Sequence, residues 1–302
     1  MTPKRILVTG AGGFVGHALE RGFAKLGWAV TAIDRSFDES GKDDGVRRVT
    51  ADLAEAVPAE LDEVDVVMHA AWVTTDPAEL AITRAEYLAL NLRPLLSVLE
   101  YASRTRPSAF VFLSSSGVFA AGDAADGLTD ADRPTAASPY AVAKRASELL
   151  VPVALEPETA AHVVRLGYLY GPDEVARPSR RGVSLVAELL AVARAGEALS
   201  VRSDDPARDW TCTSDLARAL ERVVGAPAAG HPVHLGSPHV YTDQDLAGLI
   251  ASHFPGVETV TLPSKGRVKP PMVPSDVAGL RGFEWTDLAK GLDALVAGEV
   301  AA

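Results

Sequence analysis

The chain runs from a short apolar segment, RILVT (5–9), straight into TGAGGFVG, and then into FVGHALERGFAKL, whose apolar residues recur with helical period. Few local patterns constrain a fold as tightly. Gly10, Gly13 and Gly16 are spaced G-x-x-G-x-x-G between a strand and a helix. Glycine lets the backbone turn sharply and lets a pyrophosphate approach with no Cβ in the way. The helix that follows offers unpaired N–H groups and the positive end of its dipole. Glycine-rich turns also serve as plain connections, but a strand before and a helix after are the context in which such a loop binds a dinucleotide. Gly10, Gly13, Phe14, Val15 and Gly16 are therefore candidate cofactor contacts.

The alternation continues. AVTAID (29–34), VRRVTA (46–51), VDVVMHA (64–70), AFVFLS (109–114), HVVRL (162–166) and VHL (233–235) read as strands. Most are near-continuously apolar and valine-rich, like strands buried on both faces of a parallel sheet. Helix-like segments fall at about 14–26, 84–105, 139–155 and 213–224. This order predicts an α/β fold, a doubly wound parallel sheet with helices on both faces. After Gly171-Pro172 the pattern changes: DEVARPSRRG reads as a polar loop and VSLVAELLAVARAGEAL (183–199) as an amphipathic stretch. From about residue 238 the chain reads as loop-rich, with a proline-heavy stretch at 262–276 and a final helix near 287–297. The expected division is a main domain of residues 1–172 plus 206–237, and a smaller C-terminal lobe of 173–205 plus 238–302.

The 302 residues, 47% of them hydrophobic, suffice for one large core or a core plus a lobe. With 29 Lys+Arg against 40 Asp+Glu, the net charge of −11 repels phosphate backbones and anionic lipid, so neither nucleic acid nor a membrane surface is expected as a partner. One cysteine, Cys212, excludes an internal disulfide and argues against a cysteine metal site, and the histidines lack metal-ligand spacing. The N-terminal MTPKRILVTG has no signal-peptide h-region, and no stretch approaches the roughly 18 apolar residues of a membrane span. The expectation is a soluble cytoplasmic protein with a small-molecule substrate.

The second strand ends in Asp34, where a carboxylate can accept hydrogen bonds from adenosine ribose hydroxyls and repel a 2′-phosphate. That favours NAD over NADP, although Arg35 beside it is suited to such a phosphate. Asp52-Leu53 has two readings: a carboxylate near the adenine amino group, or a strand-end turn or helix cap. Further on, SPYAVAKRASELL begins with the helix-start signal Ser138-Pro139 and places Tyr140 and Lys144 four apart on one helical face. A free tyrosine, with a pKa of about 10, is a poor base at neutral pH. A nearby ammonium lowers that pKa, and the tuned hydroxyl can exchange a proton with a substrate while hydride moves to or from nicotinamide. Alone, the pair also fits a plain helix surface.

It is not alone. TGAGGFVG, Asp34, HAAW (69–72), Asn91, SSSGVF, SPYAVAK, RLGYLYGP (165–172) and RDWTCTSDLARAL (208–220) together resemble the extended short-chain dehydrogenase/reductase family, and more narrowly its NAD-dependent epimerase/dehydratase branch. The motifs occur in the family's order over about residues 5 to 220, and PMVPSDVAGLRGFEWTDLAKGLDALV looks like that branch's C-terminal end. The resemblance implies a Rossmann NAD-binding domain, a substrate-binding lobe, and a sugar or nucleotide-sugar substrate.

Residue by residue, it implies that Ser115, three before Val118-Phe119, hydrogen-bonds the reacting oxygen, with Ser114 on the opposite face of the strand and Ser116 open if the turn is tighter. Tyr140 matches the acid/base, and Lys144 the residue that binds nicotinamide ribose and tunes the tyrosine. His69, Ala70 and Ala71 match backbone placed against the cofactor, with the His69 imidazole structural. Asn91 matches an asparagine that supports the site, or is an ordinary helix polar residue. Trp72, Thr74 and Thr75 line the pocket or pack the loop. Arg208 matches an arginine on a substrate diphosphate. Arg177, Arg180 and Arg181 add basic residues to the same lobe, or are a solvated loop.

Two departures matter. Nucleotide-sugar members commonly carry Asn where this chain has Tyr168, which leaves room for a free sugar, a sugar acid or another hydroxy compound. Dehydratases follow their catalytic Thr with Asp-Glu; here Ser116 and Gly117 stand there, which argues against dehydration. The expected activity is NAD-dependent oxidation of a sugar hydroxyl, with net epimerisation if the keto intermediate stays bound and net dehydrogenation if it leaves. A non-catalytic NAD-binding protein is the contrasting class, disfavoured by the retained Tyr140 and Lys144. A homodimer through the helices at 84–105 and 139–155 is implied.

Overall fold

In a computed structural model of the protein, residues 3–37, 45–264 and 266–298 are described. The outermost ends of the two expected domains and residue 265 of the proline-heavy stretch lie outside the described residues. The strands are β1 (Arg5–Thr9), β2 (Ala29–Asp34), β3 (Arg47–Thr50), β4 (Val66–His69), β5 (Ala109–Ser115), β6 (Ala160–Leu166), β7 (Tyr168–Tyr170), β8 (Leu199–Arg202), β9 (Ala207–Cys212), β10 (Val233–Leu235), β11 (Val240–Thr242) and β12 (Thr259–Leu262). The helices are α1 (Phe14–Lys25), α2 (Arg84–Thr105), α3 (Pro139–Ala154), α4 (Leu185–Arg194), α5 (Leu216–Val224), α6 (Asp243–His253) and α7 (Leu288–Ala297).

Among the described residues, seven strands form one parallel sheet in the order β10-β6-β5-β4-β1-β2-β3. Alternation along each strand builds two cores. Ile6, Val8, Val30 and Met68 face α1 and α5, against Leu19, Phe23, Leu216 and Leu220. Leu7, Ile33, Val67 and Phe112 face α2, against Leu95, Val98 and Leu99. The chain steps outward from β1 to β3, then returns past β1 to β4. The crevice beyond the ends of β1 and β4 is thus the switch point at which such sheets bind ligands.

Local chemistry sets the helix boundaries. Thr83 and Glu86 close a capping box at the start of α2, and Arg106 ends that helix in the left-handed region. Ser138 accepts from the Ala141 amide and Pro139 takes the first helical position of α3.

Beyond the main sheet, β11, β9 and β7 form a three-stranded sheet, and β12 pairs with β8. Within 206–237, β10 joins the large sheet whereas β9 belongs to the small one. A third core of Tyr170, Leu189, Trp210, Leu246, Ile250 and Leu292 holds these parts together. The stretch after residue 238 is richer in structure than its sequence pattern predicts: it contains α6, whose apolar residues lack a clear stripe but whose N-terminus carries a Thr242–Asp245 capping box. Among the described residues, no helix is long and apolar enough to cross a membrane.

Candidate active site

Two cavities, each of about 460 Å³, open at the switch point and share a floor of Gly10 and Gly13 and a wall of Ala70 and Trp72. The glycines there have no room for a side chain. Gly10 has φ +70 and a Cβ on it would lie 2.5 Å from the Ala71 backbone. A Cβ on Gly16 would lie 2.0 Å from the Gly10 carbonyl oxygen. The N-terminus of α1 has no side-chain cap and no acidic residue in its first turn, so its N–H groups remain available to an anion. Phe14, Val15 and Gly16 line the second cavity. This is a cradle that fits a dinucleotide pyrophosphate.

Asp34, Arg35, Asp52 and Leu53 line the first cavity. The Asp34 carboxylate accepts from the Gly12 amide at 3.0 Å and the Arg35 amide at 2.6 Å, which fixes it at the end of β2. Gly12 was not singled out from the sequence. The structure shows why it is glycine, since a Cβ there would meet the Ser36 carbonyl oxygen at 2.3 Å and lie 3.3 Å from Asp34 Oδ2. Asp52 Oδ1 accepts from the Ala54 amide at 2.9 Å, the strand-end turn of its second reading, while the residue still faces the cavity.

Downstream of β4, the expected contacts separate. Ala70 and Ala71 line the first cavity. His69 instead turns its ring into the sheet, where it is 1% exposed, meets Thr9 Oγ1 at 2.9 Å and stacks near Phe110 and Phe112. Burial, assisted by the Lys144 charge, pulls its pKa down to about 3, so the imidazole is neutral. Asn91 uses both ends of its amide on the loop: Oδ1 accepts from the Val73 amide at 2.7 Å, and Nδ2 donates to the Val73 and Tyr87 carbonyls at 3.3 and 3.2 Å. It shapes the wall of the first cavity rather than reaching into it with a spare donor.

The second cavity collects Ser115, Tyr140, Lys144, Thr74, Tyr168 and Arg208. Ser115 ends β5, its Oγ accepts from the Gly117 amide at 3.0 Å, and its hydroxyl is close enough to Tyr140 to oppose the rise in that residue's pKa. Ser114 donates to Glu148 at 2.6 Å, within the layer between sheet and α3. Ser116 is buried in the following 3-10 turn and does not line the cavity, so the turn leaves Ser115 as the serine beside Tyr140. At Gly117, a Cβ would stand 2.9 Å from the Tyr140 ring, so this glycine gives the tyrosine its place.

Lys144 donates to the Leu113 carbonyl at 2.7 Å, and its ammonium lies 3.8 Å from the centroid of the Trp72 ring. Burial pulls the Lys144 pKa well below the ordinary lysine value, opposed by the charge of Glu148. Burial pushes the Tyr140 hydroxyl up, opposed by the Ser115 hydrogen bond and by the charge of Arg180. The sequence pattern points to Lys144 as the cation beside the tyrosine; Arg180, from the RPSRR stretch, also bears on it. Its position and that of Trp72 depend on contacts across the fold, which no local spacing encodes.

Arg208 lies over Tyr168, with 4.8 Å from guanidinium to ring centroid, but two of its nitrogens are engaged by Asp243 at 2.6 and 3.0 Å. Among the described residues lining this cavity there is no carboxylate, and no group of three or more metal-ligating side chains occurs among the described residues.

Residues 6–236 match the model of the NAD dependent epimerase/dehydratase family. The chain is similar to dTDP-4-dehydro-6-deoxy-D-allose reductase of Streptomyces bikiniensis, 28% identical over 239 residues that cover 73% of this chain and 72% of the relative. It is likewise 28% identical over 266 residues to dTDP-glucose 4,6-dehydratase of Streptomyces niveus, across 80% of this chain and 75% of that one. Its fold superposes on UDP-glucose 4-epimerase of Thermotoga maritima with a TM-score of 0.77 at 22% identity, covering 97% of each chain. A reductase, a dehydratase and an epimerase thus share this scaffold.

Proposed function

This chain belongs to the NAD dependent epimerase/dehydratase family, and from that premise we propose that it moves a hydride between NAD and a hydroxyl-bearing carbon of a sugar or nucleotide-sugar, with net epimerisation as the leading outcome. One observation carries the reading: Ser115, Tyr140 and Lys144 line a single cavity that shares its Gly10–Gly13 floor with the pyrophosphate cradle.

When bound, NAD supplies the hydride acceptor and donor. Tyr140 takes the proton of the substrate hydroxyl and later returns it. Ser115 holds the reacting oxygen at the same point. In this reading Lys144, tethered to Leu113 and covered by Trp72, holds the nicotinamide ribose and, when protonated, favours the phenolate. Asp34 takes the adenosine ribose and the α1 N-terminus the pyrophosphate. Elimination of water needs an acid or base beside the reacting carbon. Ser116 and Gly117 offer no carboxylate, and the described cavity wall offers none. That favours hydride transfer without dehydration.

Two residues favour a second reading, a dehydrogenase or reductase of a sugar acid or other small hydroxy compound. Arg208 is neutralised by Asp243, and Tyr168 fills a position where an amide would reach substrate. In either case the substrate lobe is the part built on the β11-β9-β7 sheet with α4, α6 and α7 packed around its core.

A panel of sugars, sugar acids and nucleotide-sugars, followed for epimer formation and for NADH, tests both. Epimer without net NADH marks the first reading, and accumulating NADH the second. Unchanged turnover of the true substrate by Tyr140→Phe would sink the catalytic assignment.

We also infer a homodimer. The packed pair α2–α3 leaves Leu96, Leu149 and Val153 exposed at 51%, 74% and 85%. These are side chains whose burial against a second copy is favourable.

A further inference from the structure

The segment that follows β7 is stitched back onto the loop after β4. The Thr74 and Thr75 amides donate to the Ser179 carbonyl at 2.8 and 3.2 Å. Thr75 Oγ1 donates to the Pro178 carbonyl at 3.0 Å and accepts from the Arg181 amide at 3.2 Å. Reciprocal backbone hydrogen bonds between Arg177 and Arg180, at 2.8 and 2.9 Å, close the turn. The stitched segment crosses the cleft. Arg177 and Ser179 line both cavities, as Gly10 and Gly13 do. A ligand long enough to occupy both cavities meets both the glycine floor and this segment.

Arg180 stands on the α1 side of the crossing. Its guanidinium carbon is 4.8 Å from the ring centroid of Phe14, the first residue of α1. Nη2 donates to Glu174 at 2.6 Å, and Glu174 is itself held by the Ser184 amide and hydroxyl at 2.7 and 2.5 Å. Nη1 is buried with no hydrogen-bond partner. A buried guanidinium N–H without an acceptor is unfavourable, and a phosphate oxygen is the acceptor that suits it best. One edge of the guanidinium is thus oriented by a fixed carboxylate, while the other is left without a partner beside Phe14 at the start of α1.

We propose that Arg180 is a cofactor phosphate ligand, donating from Nη1 to the phosphate on the nicotinamide side, and that the Arg177–Arg181 segment straps the dinucleotide into the cleft. The proposal rests on the NAD reading of that cleft. Release of the cofactor then requires the Thr74–Thr75 stitching to open. A cofactor retained in this way suits a reaction in which hydride leaves and returns within one binding event.

NADH release followed by stopped-flow fluorescence, and affinity by calorimetry, test it on the intact chain. Arg180→Gln should weaken NADH binding about tenfold or more, chiefly through faster release, and should flatten the salt dependence of binding. Adenosine monophosphate, which lacks the nicotinamide-side phosphate, should bind within about twofold of wild type, as should uridine diphosphate. Thr75→Val keeps the guanidinium and cuts two stitches, and should also speed release. Thermal melting confirms that both variants are folded. NADH affinity and release unchanged in Arg180→Gln overturn the proposal, and selective loss of uridine diphosphate binding overturns it by assigning the residue to a substrate anion. If the wild-type chain itself fails to bind NADH, the cofactor reading fails first and this proposal falls with it.

Discussion

Glu148 grips Arg165 at two points, Oε1 to Nε at 2.9 Å and Oε2 to Nη2 at 2.7 Å, with the two side chains 5% and 6% exposed. The pair joins α3 to β6 one turn beyond Lys144, and Ser114 donates to the same carboxylate at 2.6 Å. Helix α3, which carries Tyr140 and Lys144, is therefore locked to the sheet by a buried, fully engaged ion pair. A charge left alone there is costly.

Glu148→Ala should accordingly destabilise the protein by about 3–5 kcal/mol, because Arg165 is left buried without its carboxylate. Urea unfolding measures this. A loss below about 1 kcal/mol would mean that water or relaxation replaces the pair.

In the proposed reaction Tyr140 must lose its proton for hydroxyl oxidation, and burial raises its pKa. The rate of oxidation should therefore climb towards alkaline pH. Ser115 opposes the rise through its hydrogen bond. Ser115→Ala should lower kcat/KM about ten- to hundredfold, the worth of a hydrogen bond to a charged group, and move the limb further alkaline. A lower rate with an unmoved pH profile would reduce Ser115 to a packing role.

His69 is neutral in the fold, its pKa lowered from 6.5 to about 3 by burial and then by the Lys144 charge. Protonation thus favours the unfolded chain. The stability that His69 contributes is complete above pH 6.5 and is lost as pH falls from there towards 3, at about 1.4 kcal/mol per pH unit. Burial lowers His162 and His234 in the same direction. Denaturant unfolding at pH 7.5 and 5 should show His69→Leu with a shallower loss than wild type, by about one proton. Equal slopes would place the imidazole in contact with solvent.

Leu149→Glu combined with Val153→Glu should convert a dimer to a monomer in light scattering without changing the circular dichroism. Charges at an apolar contact oppose association, whereas on a free surface they are tolerated. A wild-type chain that already runs as a monomer would refute the dimer.

Much of the site was legible because its signals are local. The glycine spacing, the acidic end of β2 and the four-residue interval from Tyr140 to Lys144 are each encoded within one turn or one element. Ser115 came from the family resemblance, which places the serine three residues before Val118-Phe119; strand alternation added only that Ser114 faces the other way. The helix α6 was obscured because its apolar residues do not form a clear stripe, although its Thr242–Asp245 cap was readable. The His69 imidazole, expected to be structural, lies in the core, while of the three backbone units expected at the cofactor Ala70 and Ala71 line the cleft.

The sequence by itself determined the parallel sheet, the glycine-rich turn and the helix that carries Tyr140 and Lys144, since period, spacing and caps act over a few residues. Tertiary structure decided what stands around Tyr140. Arg180 reaches its neighbourhood because Ser179 is bound by Thr74, 105 positions away. Trp72 covers Lys144 across the same cleft. Contacts of that range depend on how two lobes pack, and packing is a property of the assembled surfaces rather than of any segment's own pattern.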